Sequence, residues 1–244
     1  MSATDPGNTT RLDTRSVETN RLNTDNPEIY QGQFGTFTIE LSDRREVIIY
    51  RAGLAVAALS FGVATLCTLQ VPAVSPQIAA QISTICYGLL WVALGISLWH
   101  IHIYLRPLHR TLQVFWAVGG LASLAIALSN TALPLALTAY QAPITILGIG
   151  FTFAALTGIF FKEAFCFNRL ETKFLAALVP GLLLGHMSGL LGSGAERIML
   201  AIWAILFAVF ALRKAIQPIP PDIGDKSVFA HLAQARALQK SAEA

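Results

Sequence analysis

Between Val47 and Leu212 the chain has no aspartate, and its only glutamates there are Glu163, Glu171 and Glu196. A soluble domain carries about 25% charged residues, because its surface must be wetted on every side. This chain is 13% charged and 54% hydrophobic, and its charge is concentrated at the two ends. The block between the ends has too few charges to cover a water-facing surface. It predicts an all-α fold, a polytopic membrane protein solvated by lipid.

Six apolar runs follow one another, at about residues 48–69, 78–104, 112–129, 144–161, 174–191 and 198–212. Each approaches the ~20 residues that cross a hydrocarbon core of about 30 Å as a helix. Residues 131–142 are also apolar, but they follow Asn130, contain Pro134 and precede Pro143. A helix of about 12 residues rises only ~18 Å. A seventh span is therefore not expected; an extracytoplasmic loop helix, a re-entrant piece or the first half of a broken fourth helix remain.

The basic residues test the count. Arg44, Arg45, Arg51, Arg106, Arg110, Lys162, Arg169, Lys173, Arg213 and Lys214 fall on one set of alternating loops and flanks, and Arg197 alone falls on the other. Lysine and arginine accumulate on the cytoplasmic side of membrane proteins. Six spans with both termini in the cytoplasm satisfy that rule, in a cytoplasmic or thylakoid-type membrane. Arg51 is close enough to the start of the first run to snorkel into headgroups, and Tyr50, Trp99 and Tyr104 are placed as interfacial anchors.

The organisation read from this pattern has four parts. Residues 1–29 form a polar tail without the apolar stretch of a signal peptide, and their acids argue against a transit peptide. That tail is expected to be disordered, since it has little to bury. Residues 30–46 form a membrane-proximal extended segment, with Phe37, Ile39 and Leu41 alternating onto one side. Residues 47–214 form the six-helix domain. Residues 215–244 form a cytoplasmic tail, broken by Pro218, Pro220 and Pro221, with a short helix at about 225–240.

Three groups of residues invite a functional reading. Gly181, Gly185 and Gly189 make a GxxxGxxxG stripe in the fifth run, the pattern that lets helices approach closely in lipid. It points to helix packing within the chain, to self-association or to a partner helix. Pro180 is expected to kink the same helix. The segment 162–173 mixes both signs of charge with aromatic residues, and Lys162, Glu163, Phe165, Cys166, Phe167 and Arg169 make it a candidate cytoplasmic docking loop. Cys166 would be a reactive thiol only if a neighbouring cation favours the thiolate. His100, His102 and His109 cluster after the second run, and imidazole ligates metals and haem. His100 and His102 point to different helix faces, however, and His186 is about 18 Å deep on another helix. A metal or haem centre is the weaker reading, and no cofactor is expected.

Other chemistry fits poorly. No basic stripe interleaved with aromatics marks a nucleic-acid surface. Cys67, Cys86 and Cys166 are dispersed and odd in number, which supports neither a disulfide framework nor a zinc site. There is no HExxH motif, and His186 and Ser188 lie two apart on one helix, where they cannot form a protease dyad. Ion-driven transporters usually hold an acid in the membrane core, and none is evident here.

The runs Tyr30-Gln-Gly-Gln-Phe-Gly-Thr-Phe and Gly158-Ile-Phe-Phe-Lys-Glu-Ala-Phe-Cys-Phe167 resemble an integral membrane protein family classified only as a domain of unknown function, found in phototrophic and other bacteria. The resemblance spans about residues 30–215 and implies a multi-helix membrane protein. It brings no catalytic or binding residue with it. The expected function is a non-catalytic membrane protein that packs against a membrane-protein partner or its own copies in the bilayer. The alternatives are a facilitator of a neutral small solute and, third, a haem- or metal-binding protein.

Overall fold

The computed structural model describes residues 28–70, 73–103 and 105–242. The tail expected to be disordered over residues 1–27, and the interfacial Tyr104, lie outside the described residues. The chain divides into two units. One holds the described residues up to Leu41 together with those from Asp225 onward; the other runs from Ser42 to Gly224.

The larger unit contains six helices long and apolar enough to cross a membrane. These are α1 (Leu41–Leu69), α2 (Pro76–His100), α3 (Arg106–Ser129), α5 (Ile146–Phe167), α6 (Leu170–Met187) and α7 (Ser193–Ile216). A 3-10 turn, Pro143–Thr145, precedes α5. Residues 131–142 hold only a seven-residue helix, α4 (Leu135–Gln141), so the short apolar stretch is a connector element and not a span. Its amide at Ala136 donates to Thr84 Oγ1 of α2 at 3.1 Å, which pins it to the bundle.

Local sequence explains the boundaries. Ser75 caps α2, its hydroxyl accepting from the Ile78 amide at 3.5 Å, with Pro76 in the first turn, where a missing N–H costs nothing. Asn168 ends α5 in the left-handed region, φ 51°, a conformation asparagine tolerates better than most residues. That single residue and Arg169 turn the chain directly into α6. Gly189, φ 68°, ends α6 in the same way, with the Leu190 amide reaching back to the Gly185 carbonyl at 3.0 Å. This is the usual glycine-closed helix end.

The spans pack around an aromatic and aliphatic core. Phe160 meets Phe207 and Phe210 edge-on at 5.3 and 5.6 Å, and Trp203 packs on Phe61 at 4.3 Å. In lipid such contacts stabilise through dispersion and fit, because burial from hydrocarbon gains no hydrophobic free energy. Trp91 and Trp116 stack at 4.6 Å, and each indole N–H donates to the other's carbonyl, at 3.0 and 2.8 Å. That reciprocal pair fastens α2 to α3. The closest backbone approaches use glycines outside the GxxxGxxxG stripe. A Cβ at Gly53 would meet the Ala93 carbonyl at 2.8 Å, and one at Gly119 would meet Thr152 Cα at 3.0 Å.

The smaller unit is an antiparallel hairpin, β1 (Ile29–Gly32) and β2 (Gly35–Thr38), with the amphipathic helix α9 (Ser227–Ala242). The extended segment expected over residues 30–46 is therefore a hairpin, and residues 41–46 are already helical. The Asp225 carboxylate accepts from the Gln33 amide in the hairpin turn at 2.6 Å and from the Ser227 amide at 2.9 Å. These bonds, the Gln33 amide first, hold its carboxyl below the usual aspartate range. Phe34 stacks on His231 at 4.1 Å.

Candidate functional site

The basic residues of the spans do not all reach outward. Glu163 is in the last turn of α5 and is fully buried, and Lys214, near the end of α7, is 1% exposed. Lys214 Nζ donates to Glu163 Oε2 at 2.6 Å and also to Asp222 Oδ1. Asp222 belongs to the four-residue helix α8 (Pro220–Ile223), whose first positions are two prolines. Lys162 Nζ donates to Glu163 Oε1 at 2.9 Å, and the Tyr50 hydroxyl of α1 donates to the same oxygen at 3.1 Å.

Arg51 completes the cluster. Its Nε donates to Asp222 Oδ2 at 2.8 Å, its Nη1 to the Gln217 carbonyl at 2.5 Å, and its Nη2 to the Pro218 carbonyl at 2.8 Å. It clamps the connector that follows α7, and the snorkelling expected from sequence gives way to that clamp. Arg169, 8% exposed, donates to the Gln217 side-chain oxygen. Lys214, Lys162 and Arg169 surround the Phe167 ring, with centroid distances of 4.2, 5.3 and 5.5 Å. That geometry adds cation–π attraction.

Charges buried away from water are tolerated only when paired and fully hydrogen-bonded. Here two acids, Glu163 and Asp222, bridge three cations, Arg51, Lys162 and Lys214, from α1, α5 and α7. Both oxygens of each acid are engaged. The arrangement locks the ends of three spans and the connector together. Glu163 thus stands in the last turn of a candidate span, just past the apolar run at about residues 144–161.

The expected docking loop is reshaped accordingly. Residues 162–167 are helical, and the turn into α6 has only two residues. Glu163 and Arg169 are buried, and Lys162 and Phe167 are half-buried. Phe165, 75% exposed, and Cys166 face outward. Phe161 packs against Phe165 with ring centroids 4.7 Å apart and planes tilted by 43°, one helical turn away, and forms an outward aromatic ridge with it.

Among the described residues the glycine stripe makes no close backbone approach between two helices. A Cβ at Gly181 would meet nothing nearer than Met199 Cε at 3.9 Å, and Gly185 packs on Leu191 of the following turn. Gly189 is a helix terminator, outside α6 altogether.

The histidines are dispersed in their bonding. His100 Nδ1 contacts the Ile96 carbonyl at 2.8 Å, His109 Nε2 the Leu98 carbonyl at 2.6 Å, and His102 faces Glu46 at 3.3 Å. Among the described residues no three His, Cys, Asp or Glu side chains converge in a metal-binding arrangement. His186 Nδ1 pairs with Glu196 Oε1 of α7 at 2.7 Å, and Ser188 donates its proton to carbonyls of its own helix.

Six lipid-length helices with charges closed in upon themselves at one end define a polytopic integral membrane protein. The chain belongs to the family described as "Uncharacterized integral membrane protein (DUF2301)", whose model matches residues 96–231. The match contains the run ending at Phe167 and leaves out the one beginning at Tyr30. An uncharacterized protein of Haemophilus influenzae is 28% identical over 195 residues, covering 78% of this chain and 94% of the relative. No solved structure matches the chain.

Proposed function

We propose that the protein is a non-catalytic membrane component that assembles with a membrane-protein partner or a second copy through the outward ridge at the end of α5. The observation that carries this reading is the pairing of a rigid base with an exposed aromatic edge. Glu163 and Lys162 tie one face of the last α5 turn into the ion network, while Phe161 and Phe165 stand on the other, 53% and 75% exposed. Binding surfaces act well when aromatic anchors sit on elements that do not move. In this reading the basic end faces the cytoplasm, as the distribution of lysine and arginine favours. Both termini then lie there too.

The test is the mass of the purified full chain in mild detergent, after correction for bound detergent. The reading expects a complex heavier than the 26.3 kDa chain, reverting to monomer in Phe161→Ala/Phe165→Ala with helicity intact. A wild-type protein that is monomeric and carries no co-purifying membrane protein at every detergent concentration in which it is folded would overturn it.

A further inference from the structure

At the other end of the bundle lies a partly open cavity of about 180 Å³ between α1, α2, α4 and α5. Its floor is built from buried large or soft side chains: Phe61, Cys86, Leu90, Ile149 and the half-buried Phe153. Beside the half-buried Tyr87 and the buried Leu135, its remaining lining, the rim, is half-buried and small: Ala64, Ser83, Ala136 and Ala139. The void follows from that division, since the rim positions bear side chains too short to fill it.

The polar groups near the cavity are already spent. The Tyr87 hydroxyl is held by Ser123 Oγ at 2.6 Å and Thr152 Oγ1 at 2.8 Å. Ser83 Oγ lies 3.4 Å from Thr68 Oγ1. A water needs two to four polar partners to be held in a cavity, whereas an apolar cavity of roughly 150 Å³ stays dry and takes benzene. Depth agrees with chemistry. Ser83 and Leu90 lie about 10 and 21 Å along α2 from its start, at ~1.5 Å per residue, which is hydrocarbon depth and not headgroup depth.

We propose that this cavity is a hydrocarbon-binding site that holds the terminal segment of a bilayer phospholipid acyl chain, with α4 as its roof. Six or so carbons match the space, by comparison with the benzene-sized cavity. Leu135 and Thr138 of α4 are buried, so the roof is part of the bundle, and its small residues admit the chain end.

The experiment places the full chain in phosphatidylcholine vesicles doped with phosphatidylcholine that carries a diazirine near the end of one acyl chain. After irradiation, adducts are mapped on peptides. The proposal expects adducts on Cys86, Leu90 or Phe153, besides those on lipid-exposed Leu59 and Ile85. Filling the rim with Ala139→Phe abolishes the floor adducts and leaves those on Leu59 and Ile85. Wild-type adducts confined to outward residues would overturn the site, a result that needs no variant to fold. Floor adducts that survive Ala139→Phe in full would show another route to them and equally overturn it. Floor labelling by a free diazirine fatty acid but not by the phospholipid would exclude the phospholipid as the occupant.

Discussion

Lys214→Met removes the cation that holds Glu163 and Asp222 together, and the structure sets the size of the loss. Breaking a buried ion pair on one side costs about 3–5 kcal/mol, because a charge is left without its partner. After the substitution Glu163 keeps Lys162 at 2.9 Å and the Tyr50 hydroxyl at 3.1 Å. Asp222 keeps Arg51, at 2.7 and 2.8 Å. Each acid retains one cation, so the loss belongs at the low end, about 3 kcal/mol. Adding Glu163→Gln takes from the half-buried Lys162 the carboxylate it is paired with at 2.9 Å, so the double variant recovers none of the loss. Unfolding of the purified protein by titration of SDS into mixed micelles measures both differences. A Lys214→Met protein within about 0.5 kcal/mol of wild type would refute the reasoning. So would a double variant restored to wild-type stability.

Lys173 is exposed and its only described partner is the Asn168 side chain at 2.6 Å, so Lys173→Ala shifts stability in the same assay by less than about 0.5 kcal/mol. Gly119→Ala forces a Cβ against the Thr152 backbone and costs about 1–3 kcal/mol, while Gly181→Ala is neutral or stabilising by up to about 1 kcal/mol because the site is open and alanine favours helix. The depressed Asp225 carboxyl favours the hairpin–α9 contact wherever it is ionised. Its contribution is present above the ordinary aspartate range and is lost as pH falls through the lowered folded value. Hydrogen exchange at the Gln33 amide, corrected for intrinsic rates, therefore loses protection as pH falls below the ordinary aspartate range, and in Asp225→Asn the contact no longer depends on that titration.

The membrane architecture was legible because its causes are local. Continuous apolar runs of bilayer length, proline on both sides of α4 and the alternation of basic residues all act within a few dozen residues. The ion network was not legible, because Lys162, Lys214 and Arg51 look in sequence like ordinary interfacial anchors. What distinguishes them is the position of Glu163 and Asp222 in space, 51 and 8 residues from Lys214 along the chain. One signal was available: an acid within the last turn of an apolar helix must find a partner or be neutralised. The glycine stripe was ambiguous for a related reason. Spacing of four is common to a packing face and to a helix ending in a left-handed glycine, and only the φ of Gly189 separates them. Gly53 and Gly119, which do allow close approach, follow no motif, since their role depends on what faces them from α2 and α5.

Sidedness decides the account most directly. In a Cys67→Ser/Cys86→Ser background, native Cys166 reports one end of α6, and Ser193→Cys with Cys166→Ser reports the start of α7, one span away. A membrane-impermeant maleimide is expected to label Cys166 only in inside-out vesicles and Ser193→Cys only in intact cells. Labelling of both from the same side would contradict the six-span bundle, and the reverse pattern would contradict the cytoplasmic placement of its basic end.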